Sequence, residues 1–131
     1  MKVKDIITNI GLIGGRDAII IEQINIINSR TIEIYADVNN NSLCNFYDKG
    51  INNVKVKFIF QGVIYQSLSD YEIFEDKIKG ESVSSIQERV GSSLSKKGFH
   101  HIVLIAYDDI VEIVCKEYAD VVITDNKQQT D

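Results

Sequence analysis

Residues 54–60, Val-Lys-Val-Lys-Phe-Ile-Phe, place Val54, Val56, Phe58 and Phe60 at every second position. In an extended chain those four share one side, while Lys55, Lys57 and Ile59 take the other. A helix has no use for a period of two, so this segment must pair in a sheet that buries one face. The same signal recurs upstream. Residues 18–27 (AIIIEQINII) and 31–37 (TIEIYAD) are β-branched runs separated by Asn28-Ser29-Arg30, which reads as strand, turn and strand. In the second run Ile32, Ile34 and Ala36 share one face, and Thr31, Glu33 and Tyr35 share the other.

Beyond Phe60, Gln61-Gly62 predicts a bulge or bend, since glycine inside a strand pattern usually marks one, and Val63 to Tyr65 resume the extended pattern. Residues 99–107 are apolar on both faces, as in a central strand. The following stretch, 110–118, carries two competing signals. Asp109 and Glu112 fit a capping box with Glu112 and Lys116 as an i,i+4 pair, which favours a helix. The β-branched residues at its start, and the shared strand face of Val111, Ile113 and Cys115, favour a strand, and that is the reading adopted. Helix is expected near 84–94, with Ser84 or Ser85 as cap, Gln87 or Glu88 three positions on, and Ile86, Val90 and Leu94 as a stripe at spacing four. Gly91 limits it to two or three turns.

These elements predict an α+β fold, predominantly antiparallel β-sheet of about seven to eight strands, with one short helix. Residues 1–125 are expected to form a single β-rich domain, and the polar run 126–131 a frayed tail. A chain of 131 residues buries roughly two-thirds of its unfolded surface and needs no staples. Its two cysteines, Cys44 and Cys115, form no motif and read as free thiols in a reducing cytoplasm. The start, MKVKDIITNIGLIGG, is broken by Asp5, Thr8 and Asn9 and does not read as a signal peptide. No run is long enough to span a bilayer as a helix. A net charge of −5 argues against a nucleic-acid partner, which requires a Lys/Arg surface.

Residues that carry chemistry elsewhere find little support here. His100 and His101 are adjacent, so in a strand they point to opposite faces and do not share one ion. The same geometry separates Asp108 from Asp109, which read as a turn. A Cys115–His101 nucleophile pair is conceivable, yet Cys115 lies among Val and Ile, where burial raises a thiol pKa. GLIGG at 11–15 lacks the spacing of a dinucleotide or phosphate loop. The expectation is a protein that is not an enzyme, with a small enzyme of unknown reaction as the remotest alternative.

Residues 37–48 have calcium-loop spacing, with Asp37, Asn39, Asn41, the Leu43 carbonyl, Asn45 and Asp48 at positions 1, 3, 5, 7, 9 and 12. The loop and the Gly50-Ile51 and Val54-Lys55-Val56 that follow resemble the calcium-binding B repeats of Gram-positive surface adhesins. Ser42 stands where such loops place glycine, and Asp48 where they place glutamate, which leaves two carboxylates. The expected cofactor set is therefore empty. The alternative is Ca²⁺ on Asp37, Asn39, Asn41 and Asp48, in a calcium-binding or structural β module of an adhesin-like protein.

A second resemblance spans residues 50–123. It rests on Phe58, Phe60, Gln61, Gly62 and Val63, an acidic Asp70-Tyr71-Glu72, a Ser-rich segment ending in Ser-Ser-Leu, and H-x-V-L-x-x-Y-D-D-x-x-E-I-V from His101. This order resembles small bacterial immunity-type domains of polymorphic or contact-dependent toxin systems. The resemblance implies a cytoplasmic, non-catalytic protein that binds and neutralises a cognate toxin domain. An acidic surface suits a basic partner. Asp70, Glu72, Glu75 and Asp76 supply the charge, and Tyr71 and Phe74 the aromatic anchors.

Overall fold

The computed structural model describes residues 2–14, 18–39, 53–74 and 84–125. In chain order the elements are β1 (Lys2–Asp5), β2 (Ile19–Asn28), β3 (Thr31–Asn39), β4 (Asn53–Gln61), β5 (Tyr65–Asp70), α1 (Tyr71–Phe74), β6 (Ile86–Val90), α2 (Ser93–Lys96), β7 (His100–Ile105), β8 (Asp109–Cys115) and β9 (Glu117–Asp125). The strands form a five-stranded sheet, β1-β6-β7-β8-β5, and a four-stranded sheet, β2-β3-β4-β9. Every pairing within them is antiparallel. The predominantly antiparallel character expected from the sequence is present, with nine strands among the described residues where seven to eight were expected.

The period-two segments lie where their alternation requires. β3 and β4 pair without a register shift from Thr31↔Gln61 to Asn39↔Asn53. Ile32, Ile34, Ala36 and Val38 of β3, and Val54, Val56, Phe58 and Phe60 of β4, point into one core. Ile86, Ile102, Leu104, Val111, Ile113 and Cys115 of the other sheet meet them there. Burial of each large side chain contributes roughly 1.5–3 kcal/mol. Outward lysines of β4 form ion pairs across the sheet, Lys55 Nζ lying 2.7 Å from Glu22 Oε2 of β2 and Lys57 Nζ 3.9 Å from Glu33 Oε2 of β3. The β2–β3 turn is Ser29-Arg30, closed by the Arg30 N–H donating to Asn28 Oδ1 at 2.8 Å.

Helix is not found over 84–94. Residues 86–90 are strand β6, paired with β1 and β7, and among the described residues from 84 on the helical turn is α2, which starts at Ser93. The physical reason lies in the spacing. Ile86 and Val90 are four apart, which fits one face of a helix and equally one face of a strand. The residue between them on that face is Glu88, whose polarity hid the period of two. Ser84 Oγ accepts the Ile86 N–H at 3.1 Å, a local turn rather than a helix cap. The helical cap is Ser92, whose Oγ accepts the Ser95 N–H at 3.3 Å. For residues 110–118 the strand reading agrees with β8.

Two devices join the sheets. The first is a corner. β4 passes into β5 through Gln61–Tyr65, and β8 passes into β9 at Lys116, so one ribbon of two strands bends from the four-stranded sheet into the five-stranded one. Its ladder survives the bend, because the Lys116 N–H donates to Gln61 O (3.0 Å) and the Ile64 N–H to Val114 O (2.9 Å). The second device is the N-terminal arm after β1. Ile6, Ile10 and Ile13 enter the core, and the Asn9 N–H and Nδ2 donate to Asp120 Oδ1 and O of β9 at 2.7 and 2.6 Å. Pro is absent throughout, and no described residue forms a helix long and apolar enough to cross a membrane.

The bend predicted at Gln61-Gly62 depends on Gly62. Its φ of +66° favours glycine, and a Cβ there would sit 2.8 Å from Lys116 Cβ on the opposite strand of the ribbon. Gly62→Ala is expected to lower stability by about 2 kcal/mol, combining left-handed strain with steric displacement of Lys116. Urea unfolding monitored by circular dichroism measures it, and an unchanged midpoint would show that the corner relaxes freely.

Candidate functional site

The acidic residues near 70 are brought into a larger group than the sequence suggested. β5 ends at Asp70, directly across from Asp109 at the start of β8. The Tyr71 N–H donates to Asp108 O at 3.0 Å, continuing that ladder by one residue. The Glu72 N–H donates to Asp70 Oδ1 at 2.8 Å, fixing the first turn of α1. Asp70, Glu72, Asp108 and Asp109 therefore gather at one corner of the five-stranded sheet. Burial first, then the neighbouring charges of Asp108 and Asp70, push the Asp109 carboxyl above its usual range. That the 108–109 pair joins the 70–72 group depends on the β5–β8 register, which no local pattern encodes.

Of the proposed aromatic anchors, Tyr71 is half-buried and packs against Val103, Ile105 and Ile110 on the outer face of the sheet. The exposed aromatic beside the acidic corner is Tyr107, in the β7–β8 turn. Phe74 ends α1, and Glu75 and Asp76 lie outside the described residues.

The two histidines occupy opposite faces of β7, and each meets a different glutamate. His100 Nδ1 lies 2.7 Å from Glu88 Oε2 on the core-facing side. His101 Nε2 lies 2.6 Å from Glu112 Oε2 on the outer side, where Arg89 Nη1 is 3.7 Å from the same oxygen. Bonds of this kind fix ring orientation and tautomer. The Tyr118 ring stands edge-on to His100, with centroids 5.2 Å apart. No cluster of three or more His, Cys, Asp or Glu side chains suited to a metal occurs among the described residues.

The β7–β8 register corrects the nucleophile pair considered from sequence. His100 is opposite Cys115, whereas His101 is on the other face. A thiol, an imidazole and a carboxylate thus neighbour one another at Cys115, His100 and Glu88. Cys115 is nonetheless fully buried, and burial, followed by the charge of Glu88, pushes its thiol up to about 12. The nucleophilic species is the thiolate, so this arrangement opposes the chemistry it superficially resembles.

Of the calcium-loop residues, Asp37 and Asn39 lie two apart on the outward face of β3. Asn53 Nδ2 donates to Asp37 Oδ2 at 3.0 Å, and Lys55 Nζ lies 3.8 Å from Asp37 Oδ1. A calcium ion on Asp37 would compete with that ammonium. Asn41 and Asp48 lie outside the described residues.

Comparison with known protein families, with curated proteins and with solved structures finds no match.

Two outcomes follow from these environments. In a Cys44→Ser background, Cys115 is expected to resist a thiol reagent such as DTNB at pH 8 in the native state and to react fully in guanidinium chloride; rapid native labelling would show an accessible thiol. Asp109→Asn is expected to raise the melting temperature at pH 7. A carboxyl whose native pKa is raised binds protons more readily folded than unfolded, so its penalty is present at neutral pH and disappears as pH falls through the native pKa toward 3.8. The gap between variant and wild type should close over that interval, and a pH-independent gap would assign the effect elsewhere.

Proposed function

We propose that the chain is a non-catalytic, immunity-type protein that neutralises a basic toxin domain by covering it. The observation that carries this reading is the acidic corner: Asp70, Glu72, Asp108 and Asp109 gathered at the junction of β5, α1 and the β7–β8 turn. Gathering these carboxylates costs stability: burial first, and then the charges of Asp108 and Asp70, push the Asp109 carboxyl above its usual range. Such a cost is commonly tolerated where a surface meets a partner of opposite charge. The exposed Tyr107 beside the carboxylates adds the apolar contact that charge alone does not supply. Net charge of −5 adds long-range attraction to a basic surface and accelerates association. The sequence resemblance to bacterial immunity-type domains points in the same direction, as does the buried state of the one described thiol.

The test is biolayer interferometry against basic toxin domains, taken first from any gene adjacent to the one encoding this chain. Binding is expected to weaken steeply between 50 mM and 500 mM salt. A variant carrying Asp70→Lys, Glu72→Lys and Asp108→Lys should bind at least about tenfold more weakly, mainly through a slower on-rate. Absence of binding by the wild-type chain would sink the reading. Binding that ignores both salt and the triple substitution would move the interface away from this corner.

A further inference from the structure

We infer that β5 accepts an extended peptide ending in an apolar residue with a free C-terminal carboxylate. The added strand runs antiparallel to β5, and its terminus sits in the cleft beside Arg30. This goes beyond the reading above and does not depend on it, because it rests on a different set of atoms.

The first observation is the state of the β5 edge. β5 is the last strand of its sheet, paired only with β8 among the described strands. Antiparallel ladders alternate between bonded and non-bonded residue pairs. The Tyr71 N–H to Asp108 O bond fixes the phase, so residues 69, 67 and 65 turn their backbone groups toward β8. Gln66 and Leu68 therefore direct N–H and C=O away from it. Leu68 is 60% exposed. Edge strands are normally blunted by charge, proline or a bulge. From Tyr65 to Ser69 there is no charge and no proline, and the β5–β8 register has no shift. β2, one edge of the other sheet, is interrupted by two register shifts.

The second observation is what lies at the Tyr65 end of that edge. A cleft of about 350 Å³ opens between the β2–β3 turn and the residues leading into β5, with Ile26, Ile32, Val63, Ile64 and Tyr65 in its lining. Its volume falls within the range of small-ligand sites. Ile26, Ile64 and Tyr65 are exposed there. Arg30 lies in the same lining and is held against the Val63 backbone: Nη1 donates to Val63 O at 3.1 Å, and Arg30 O accepts the Val63 N–H at 3.0 Å. A guanidinium has five N–H donors, and this bond uses one. None of the described carboxylates forms an ion pair with Arg30.

An uncharged template edge that ends at a cleft of mixed lining, with Ile26, Ile64 and Tyr65 beside Asn28, Ser29 and Gln66, and an anchored guanidinium that no described carboxylate pairs with, fits one chemistry. Backbone bonds to Gln66 and Leu68 take up the extended chain, the cleft takes the last apolar side chain, and Arg30 takes the carboxylate. The polarity follows from the order of these parts. With the terminus at the Tyr65 end, the peptide enters from the Asp70 end, antiparallel to β5.

The probe is fluorescein-Ser-Thr-Val-Thr-Val with a free carboxylate, compared by fluorescence polarisation with the same peptide as its C-terminal carboxamide. The free acid is expected to bind at micromolar concentration, and the carboxamide at least about tenfold more weakly, without any change to the protein. Arg30→Gln should erase the difference between the two peptides. Leu68→Pro removes an outward N–H without breaking a bond to β8, a position where edge strands tolerate proline, and should weaken both peptides equally. In the wild type, amide exchange at Gln66 and Leu68 should slow on adding the free acid. Equal binding of acid and carboxamide, or no binding of either, overturns the inference. So does hexanoate displacing the peptide at equal concentration, which would assign the cleft to small carboxylic acids alone.

Discussion

The bend that carries one antiparallel ribbon from sheet to sheet organises the rest of the molecule. At Gly62 and Lys116 both strands turn together, and the hydrogen bonds on either side of the turn keep the ladder intact. Because β4 and β5 are one strand in effect, and β9 and β8 another, the two sheets cannot slide independently. Orthogonal sandwiches commonly make their corners this way, with strands that change sheets at bends. The corner also fixes where each edge falls: β5 must end the five-stranded sheet, and its far end must lie against the β7–β8 turn. The acidic group and the cleft beside Arg30 are the two ends of that one strand.

Alternation made part of this legible in the sequence. The strands over 31–37 and 54–60 could be read because their inward residues are all apolar and their outward residues mostly are not. Residues 86–90 could not, because Glu88 faces inward and a polar inward residue breaks the pattern that signals a strand. The pairing of β1 with β6 was invisible for another reason. Lys2 to Asp5 meet Val90 to Gln87 across most of the chain, and nothing local encodes a contact at that separation. The acidic corner was half legible: 70–72 and 108–109 each stood out as charged, but their meeting is a consequence of register. Of the calcium-loop residues, Asp37 and Asn39 share the outward face of β3, where Lys55 Nζ lies 3.8 Å from Asp37 Oδ1.

Glu88 shows why an inward polar residue survives. Its side chain is only 8% exposed, and a carboxyl group so placed is costly without a partner. His100, 2.7 Å away on the neighbouring strand, supplies one. Tyr118 closes over the imidazole from β9, so the polar pair also bridges the two sheets at the end of the core. The neighbouring Cys115 is affected in the opposite sense from a catalytic thiol. Burial and the negative charge of Glu88 both favour its protonated form. A thiol beside an imidazole is activated only where the surroundings stabilise the thiolate, and here they do the reverse. The cluster is best understood as packing with hydrogen bonds satisfied.

The two ends of β5 differ in sign, and that difference constrains any segment that would lie along it. Arg30 stands at the Tyr65 end, and Asp70, Glu72, Asp108 and Asp109 at the other. Six residues of strand separate them, roughly 17–20 Å. A chain added antiparallel to β5 would bring its carboxyl end to the guanidinium and its upstream residues to the carboxylates. Basic residues five to seven positions before a free apolar terminus would therefore meet complementary charge at both ends, whereas the reverse orientation would oppose like charges at each. The uncharged middle of the strand contributes no preference of its own, so direction would be decided electrostatically, and the preference for it would weaken as salt screens the exposed acidic end.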